Sequence, residues 1–307
     1  MVSIKDCGLM LEPQLGMSVE DVIEWARYAE RGGYGYIMRS DHLSPTSRGE
    51  IVDSPECWIT LGLIAANTKN IRFGPLVSPI GFRNPALLAR MACTLHAYAD
   101  GRLLLGVGAG WLPGEFAAQG YDFPKFRVRR EQLLEAIKII RPLTECKSVD
   151  YNGRYFSAHT TCLPKPKGKV HLIIGGKNRA IIETSAAYAD EWNTGNTTLD
   201  TFIDAKKKLD TKTSGRRIAI SRMSSFIIGE KRSDLEPRIL KYSKPRGAPA
   251  AAEKLRDRGV LCGTVDEFVA QLNTFIEAGV QKFYFQVLDP QDKPMLELLT
   301  QTLKNAI

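Results

Sequence analysis

The stretch CGLMLEPQLGMSVEDVIEWARYAERGGYGYIM, residues 7–38, decides how the rest of the chain is read. Cys7–Leu11 is a short apolar run of strand length. Val19–Arg31 then places apolar residues at helical spacing, with Ser18 positioned to cap the first turn and Gly32-Gly33 to stop the last. Tyr36–Met38 is apolar again. Strand, helix and strand in close succession form the unit from which parallel sheets are built, because a right-handed crossover returns the chain to the same edge.

The rhythm continues outward from this unit. Trp58–Thr68 reads as a helix, Ile71–Val77 as a strand, and Pro85–Tyr98 as a helix capped by Asn84 with proline at its first position. Arg102–Val107 is a strand and Phe126–Cys146 a long helix. After an irregular insertion at Asp150–Lys169, strands are expected at Val170–Ile174, Glu191–Thr194, Ile218–Ile228 and Lys282–Val287. Helices are expected at Arg179–Tyr188, Thr201–Leu209, Asp266–Glu277 and Pro294–Lys304. About eight strand–helix units without a central linker predict an α/β fold, a closed (β/α)8 TIM barrel formed by residues 1–307 as one domain. An open doubly wound sheet is the alternative.

Composition narrows the class. Hydrophobic residues make up 44% and charged residues 25% of the 307, the balance of a globular protein with ample apolar surface for one core. No apolar run reaches roughly 18 residues, so a membrane-spanning helix is not expected. The N-terminal residues lack the order of a signal peptide, which makes a cytoplasmic chain the expectation. Six scattered cysteines and four dispersed histidines show no metal-ligand spacing. The net charge of +8 is spread along the chain without interleaved aromatics. It reads as a solvated surface or as attraction of an anionic small molecule, not as a nucleic-acid interface.

In a barrel, chemistry belongs at the C-terminal ends of the strands. Glu12-Pro13-Gln14, Ser40-Asp41-His42 and Ser78-Pro79 follow the first three strands. Gly108-Ala109-Gly110-Trp111 and Gly175-Gly176-Lys177-Asn178-Arg179 follow the next two. Asp41 and His42 are candidates for proton exchange, since an imidazole beside a carboxylate titrates near neutrality; a surface turn is the competing reading. The Gly106–Gly110 stretch suits close backbone approach to anionic oxygens, or simply a tight turn. It departs from the G-x-G-x-x-G dinucleotide fingerprint. Gly175–Arg179 opens a helix and suits a phosphate, or is an ordinary connection.

Together these residues resemble the luciferase-like superfamily, which includes FMN-dependent monooxygenases and oxidoreductases using the deazaflavin coenzyme F420. The markers are Glu12-Pro13-Gln14, Ser40-Asp41-His42, Arg83-Asn84-Pro85, the Gly101–Trp111 stretch, Pro164-Lys165-Pro166, Gly175-Gly176 and Ala189–Asn193. The late Gly263-Thr264 and Ala278-Gly279-Val280 complete the set. The likeness is closest to the F420-dependent branch. It implies an enzyme whose coenzyme is F420, with FMN as the alternative, acting on a small organic substrate. A homodimer is expected. A coenzyme-binding barrel without activity is a further alternative.

The resemblance implies a non-proline cis peptide near Pro75-Leu76-Val77, behind the coenzyme ring. Asp41, Pro75, Leu76, Val77, Ser78, Gly108, Ala109, Gly110, Trp111, Gly175, Gly176, Lys177 and Arg179 would then hold the coenzyme, with His42 and Asp41 catalytic. Some sugar-phosphate dehydrogenases of this branch carry a proton-donating glutamate where this chain has Trp111. Glu115 stands four residues further on, beyond the expected reach, so a sugar-phosphate substrate is not expected.

Overall fold

Eight parallel staves close around an apolar interior in the computed structural model, which describes residues 2–44, 52–243 and 251–305. The first half holds β1 (Cys7–Leu11), α1 (Val19–Gly32), β2 (Tyr36–Arg39), α2 (Cys57–Asn67), β3 (Arg72–Pro75), β4 (Ser78–Pro79), α3 (Pro85–Tyr98) and β5 (Leu104–Gly108). A short α4 (Pro113–Ala118), a long α5 (Phe126–Thr144) and the hairpin β6 (Ser148–Asn152) and β7 (Ser157–Thr161) lead into the second half. There follow β8 (His171–Gly175), α6 (Arg179–Tyr188), β9 (Glu191–Asn193), α7 (Leu199–Asp210) and β10 (Ala219–Gly229). The chain ends with α8 (Arg232–Ser243), α9 (Ala252–Arg256), β11 (Leu261–Thr264), α10 (Val265–Glu277), β12 (Lys282–Val287) and α11 (Lys293–Asn305).

The sheet runs β3-β2-β1-β12-β10-β9-β8-β5-β4, and a parallel bridge from Phe73 to Leu103 joins its ends. β3 and β4 are two halves of one stave, broken at Leu76-Val77, whose peptide is cis. Closure at this point depends on Gly74, where an added Cβ would lie 2.0 Å from the Leu104 carbonyl oxygen. The expected closed barrel is the observed one.

Local sequence explains the element ends. Ser18 accepts from the Asp21 N–H at 3.1 Å and Asp21 accepts from the Ser18 N–H at 2.9 Å, a reciprocal cap for α1. Asn84 caps α3 in the same sense, accepting from Ala86 at 2.9 Å. Outside the staves, Leu9, Ile37, Phe73, Leu105, Phe283 and Phe285 pack against the helices. Each such buried side chain contributes roughly 1.5–3 kcal/mol. Inside, Met10, Met38, Leu76, Leu104, Ile173 and Tyr284 fill the barrel beneath its mouth. Below them, at the N-terminal end, the buried Glu191 carboxylate accepts from His171 at 3.0 Å, Lys282 at 2.5 Å and the Tyr284 hydroxyl at 2.8 Å.

The segment expected to be irregular holds an antiparallel hairpin instead, with Tyr151 opposite Ala158. Gly153 donates to the Phe156 carbonyl at 2.9 Å, which leaves Arg154-Tyr155 at the tip of the turn. Glu135 of α5 plugs that turn, accepting the N–H groups of Arg154, Tyr155 and Phe156 at 2.9–3.1 Å. Three helices and a strand were not expected from the sequence. α4 is only six residues long, α8 carries Pro237 among charged residues, α9 is five residues long, and β11 extends β10 outside the barrel.

Candidate active site

The strand ends that form the barrel mouth divide it into a polar side and a glycine side. On the polar side, Ser40 donates to the Gln14 amide oxygen at 2.6 Å, and the Gln14 amide donates to Glu12. From the adjacent stave, Gln286 of β12 donates to the other Glu12 oxygen. Ser225 of β10 donates to Gln286 at 2.5 Å, and Asn196, after β9, donates to Ser225 at 2.7 Å.

His42 stands at the end of β2, with its side chain 13% exposed. Its Nδ1 lies 3.1 Å from both oxygens of Glu115, which is buried. Glu115 also accepts the N–H groups of Leu43 at 2.5 Å and Ser44 at 3.3 Å, so it fixes the turn that carries the histidine. Burial disfavours the imidazolium, but the Glu115 hydrogen bond and charge outweigh it, aided by the charges of Glu12 and Asp41. The balance holds the His42 pKa above its ordinary value. The sequence expectation put Glu115 out of reach. Helix α4 overturns it: Pro113 at the first helical position turns the chain back and carries Glu115 to His42. Trp111 packs its ring edge-on to His42, centroids 5.9 Å apart, and is 68% exposed on the rim.

Asp41 is 2% exposed and already engaged. It accepts from the Ser78 hydroxyl at 2.5 Å and from Arg83 at 2.6 and 3.2 Å. Arg83 in turn reaches Glu56 at 2.5 Å, and Trp58 donates to Ser78 at 3.2 Å. Asp41 was expected to be catalytic; the structure shows its carboxylate bonded to Ser78 and Arg83. Its carboxylate is turned toward the chain's own groups, where it locks Ser78 beside the Leu76-Val77 break.

The glycine side also differs from expectation. A Cβ on Gly106 would lie 2.2 Å from the Pro75 carbonyl oxygen, and one on Gly108 would lie 2.7 Å from Val77 Cγ2. These glycines make room for the broken stave before they serve any ligand. Gly110, at φ +77°, is pressed against Phe116. What remains at the mouth are the half-buried Val77, Ala109, Gly175 and Gly176, a step of short side chains in which Val77 lies against Gly175. Gly176 donates its N–H to the Asn193 carbonyl at 2.9 Å, and Asn178 caps α6 through Ala180 at 3.0 Å. Lys177 is exposed and reaches the Asn196 carbonyl at 3.5 Å, next to the step. Arg179 was expected at the phosphate, but its side chain is 78% exposed and pairs with Glu183 of its own helix at 3.2 Å.

Sequence reading also missed the part played by Gln14, Gln286 and Ser225, which lie far apart in the chain; only the (β/α)8 register brings them together. Among the described residues no group of His, Cys, Asp and Glu is arranged to hold a metal ion, and no helix is long and apolar enough to cross a membrane.

A parallel barrel with a titratable dyad and a bare step at the C-terminal strand ends has the architecture of the (β/α)8 enzymes. The family model described as luciferase-like monooxygenase matches residues 5–282, and the chain belongs to that family. It is 33% identical over 160 residues to an F420-dependent glucose-6-phosphate dehydrogenase of Amycolatopsis mediterranei (strain U-32), covering 51% of this chain and 48% of the relative. It is 32% identical over 178 residues to an F420-dependent hydroxymycolic acid dehydrogenase of Mycobacterium tuberculosis (strain ATCC 25618 / H37Rv), covering 56% and 48%. The aligned part thus spans about half the length of these curated relatives. Among solved structures, an F420-dependent secondary alcohol dehydrogenase in complex with an F420-acetone adduct superposes with a TM-score of 0.85 over 100% of this chain and 98% of that one. At 20% identity this is a likeness of fold.

Proposed function

We propose that the protein is an oxidoreductase that moves hydride between coenzyme F420 and a small organic substrate, with His42 exchanging the substrate's proton. The observation that carries this reading is the pairing of His42 with Glu115 at the C-terminal strand ends, the same end of the barrel as Val77, Ala109, Gly175 and Gly176. The backbone and short side chains of that step would let a planar ring approach closely. The relatives named as F420-dependent support the choice of coenzyme.

Val77 and the glycines would lie against the ring, and Ser78, fixed by Asp41, would stand at its polar edge. Lys177 and the N-terminus of α6 would hold the phosphate, where unpaired N–H groups and a cation favour an anion. Bound F420 supplies a two-electron hydride carrier. His42 takes the hydroxyl proton of an alcohol as its carbon gives up hydride, and Glu115 stabilises the imidazolium that results. In the opposite direction His42 returns the proton. The family's monooxygenase name keeps FMN as the competing coenzyme. Equilibrium titration with both coenzymes tests the reading: tighter binding of F420 supports it, and tighter binding of FMN replaces it.

A further inference from the structure

The mouth carries two kinds of wall. Gln14, Glu12, Gln286 and Ser225 form a polar belt in which each side chain is hydrogen-bonded to the next. The connection from β5 to α4 is the opposite: Ala109-Gly110-Trp111-Leu112-Pro113 holds no charged side chain. Trp111 stands at its centre, 68% exposed, with its ring centroid 5.9 Å from that of His42 and the two planes at 89°. The other three tryptophans, Trp25, Trp58 and Trp192, are buried. Ile59, Leu87, Tyr98 and Leu240 are exposed too, but on helices α2, α3 and α8. A large apolar ring left in water is a surface that an apolar ligand gains by covering.

The indole is also held in place. Gly110 precedes it at φ +77°, with an added Cβ falling 2.9 Å from Phe116, and Pro113 fixes the first turn of α4 two residues later. Glu115 then ties that helix to His42 and to the N–H groups of Leu43 and Ser44. A ring positioned beforehand in this way loses little freedom when a ligand covers it.

We infer that Trp111 is a specificity-determining residue: its indole receives an aromatic group attached to the reacting carbon, so the substrate class is an aryl carbinol or the corresponding ketone. This rests on the oxidoreductase reading above. An aromatic ring there gains both covered apolar area and ring–ring contact with the indole, while its carbinol stays beside His42. In the step that Trp111 serves, the carbinol C–H bond breaks with its electron pair passing to the deazaflavin, which is reduced. The hydroxyl proton goes to His42 and an aryl ketone forms; the indole is unchanged.

The test uses the full chain loaded with oxidised F420 and three probes: 1-phenylethanol, 1-cyclohexylethanol and butane-2,3-diol. In kcat/KM, 1-phenylethanol should exceed the diol by roughly tenfold or more and the cyclohexyl alcohol by about threefold. In Trp111→Ala the preference for 1-phenylethanol over the diol should fall about tenfold, chiefly through a higher KM, and Trp111→Phe should restore most of it. A purely structural role would lower the use of all three alike and leave the preference in place. NMR supplies a readout apart from turnover. The Trp111 indole N–H signal, identified by its loss in Trp111→Phe, should shift saturably on titration with acetophenone, which oxidised F420 cannot reduce. Equal use of 1-phenylethanol and the diol, a preference that survives Trp111→Ala, or an indole signal that stays in place would overturn the inference. Failure of the wild type to bind F420 appears before any probe is added and counts against the oxidoreductase reading itself; the indole titration, repeated on the coenzyme-free chain, then decides the aryl contact separately.

Discussion

His42 is where the account is most exposed to experiment. Its imidazole is held above its ordinary pKa, because Glu115 outweighs burial. Alcohol oxidation needs the neutral ring, so kcat/KM should rise with pH through an inflection above about 6.5, the ordinary histidine value. Replacing Glu115 by Gln removes the charge that raises the pKa while burial still lowers it. The inflection should then move to lower pH. Replacing His42 by Ala should leave coenzyme affinity largely intact and reduce turnover by roughly 10²–10⁴. A pH–rate profile of both variants checks this. An inflection that stays in place in Glu115→Gln would remove Glu115 from the mechanism. The histidine was legible in the sequence as the polar end of a strand; its partner was not. A six-residue helix decided that contact, and too short a period exists in six residues to announce a helix.

At the scale of elements, the broken stave β3–β4 shapes the mouth, and Gly106 and Gly108 of β5 exist to admit it. In Gly108→Ala the new methyl would meet Val77 at 2.7 Å. Val77 must shift, at a cost of about 1–3 kcal/mol for overpacking, and its position at the mouth would change. Denaturant unfolding should report the lower stability, and coenzyme titration should report weaker binding. Unchanged affinity would separate the step from the coenzyme. Strand and helix positions were largely readable, since periodicity and caps such as Ser18, Asn84 and Pro85 act locally. The purpose of the glycines was not. Reading them as a ligand cradle overlooked that a neighbouring stave makes the first demand on their missing side chains.

Across the whole molecule, the candidate site and the buried ionic cluster lie at opposite ends of one barrel. The mouth holds the dyad and the bare step; the N-terminal end is closed by Glu191 with His171, Lys282 and Tyr284. Burial disfavours the Glu191 anion, but the His171 hydrogen bond and the Lys282 charge hold its pKa down at about 2. The unfolded chain titrates this group near 4.5. Its stabilisation is therefore fully present above about pH 4.5 and lost as pH falls toward about 2. The contribution is on the order of 3 kcal/mol. In Glu191→Gln, chemical unfolding at pH 7 should show a loss of that size, with the acid dependence of stability flattened between those values. Retained stability would mean that the cluster does not close the barrel. The closed barrel itself was readable from strand–helix alternation, whereas the polar belt was not, because its members meet only through the register of β1, β10 and β12.

The central claim is that this mouth is a coenzyme site of the F420 type, and a single equilibrium titration tests it most directly. Purified wild-type protein is titrated with oxidised F420 and, separately, with FMN, with binding followed by fluorescence and calorimetry. The account predicts saturable binding of one coenzyme per chain, with F420 tighter than FMN by about tenfold or more, equivalent to about 1.4 kcal/mol. Binding of FMN tighter by the same factor would contradict the choice of coenzyme, and binding of neither would contradict the site.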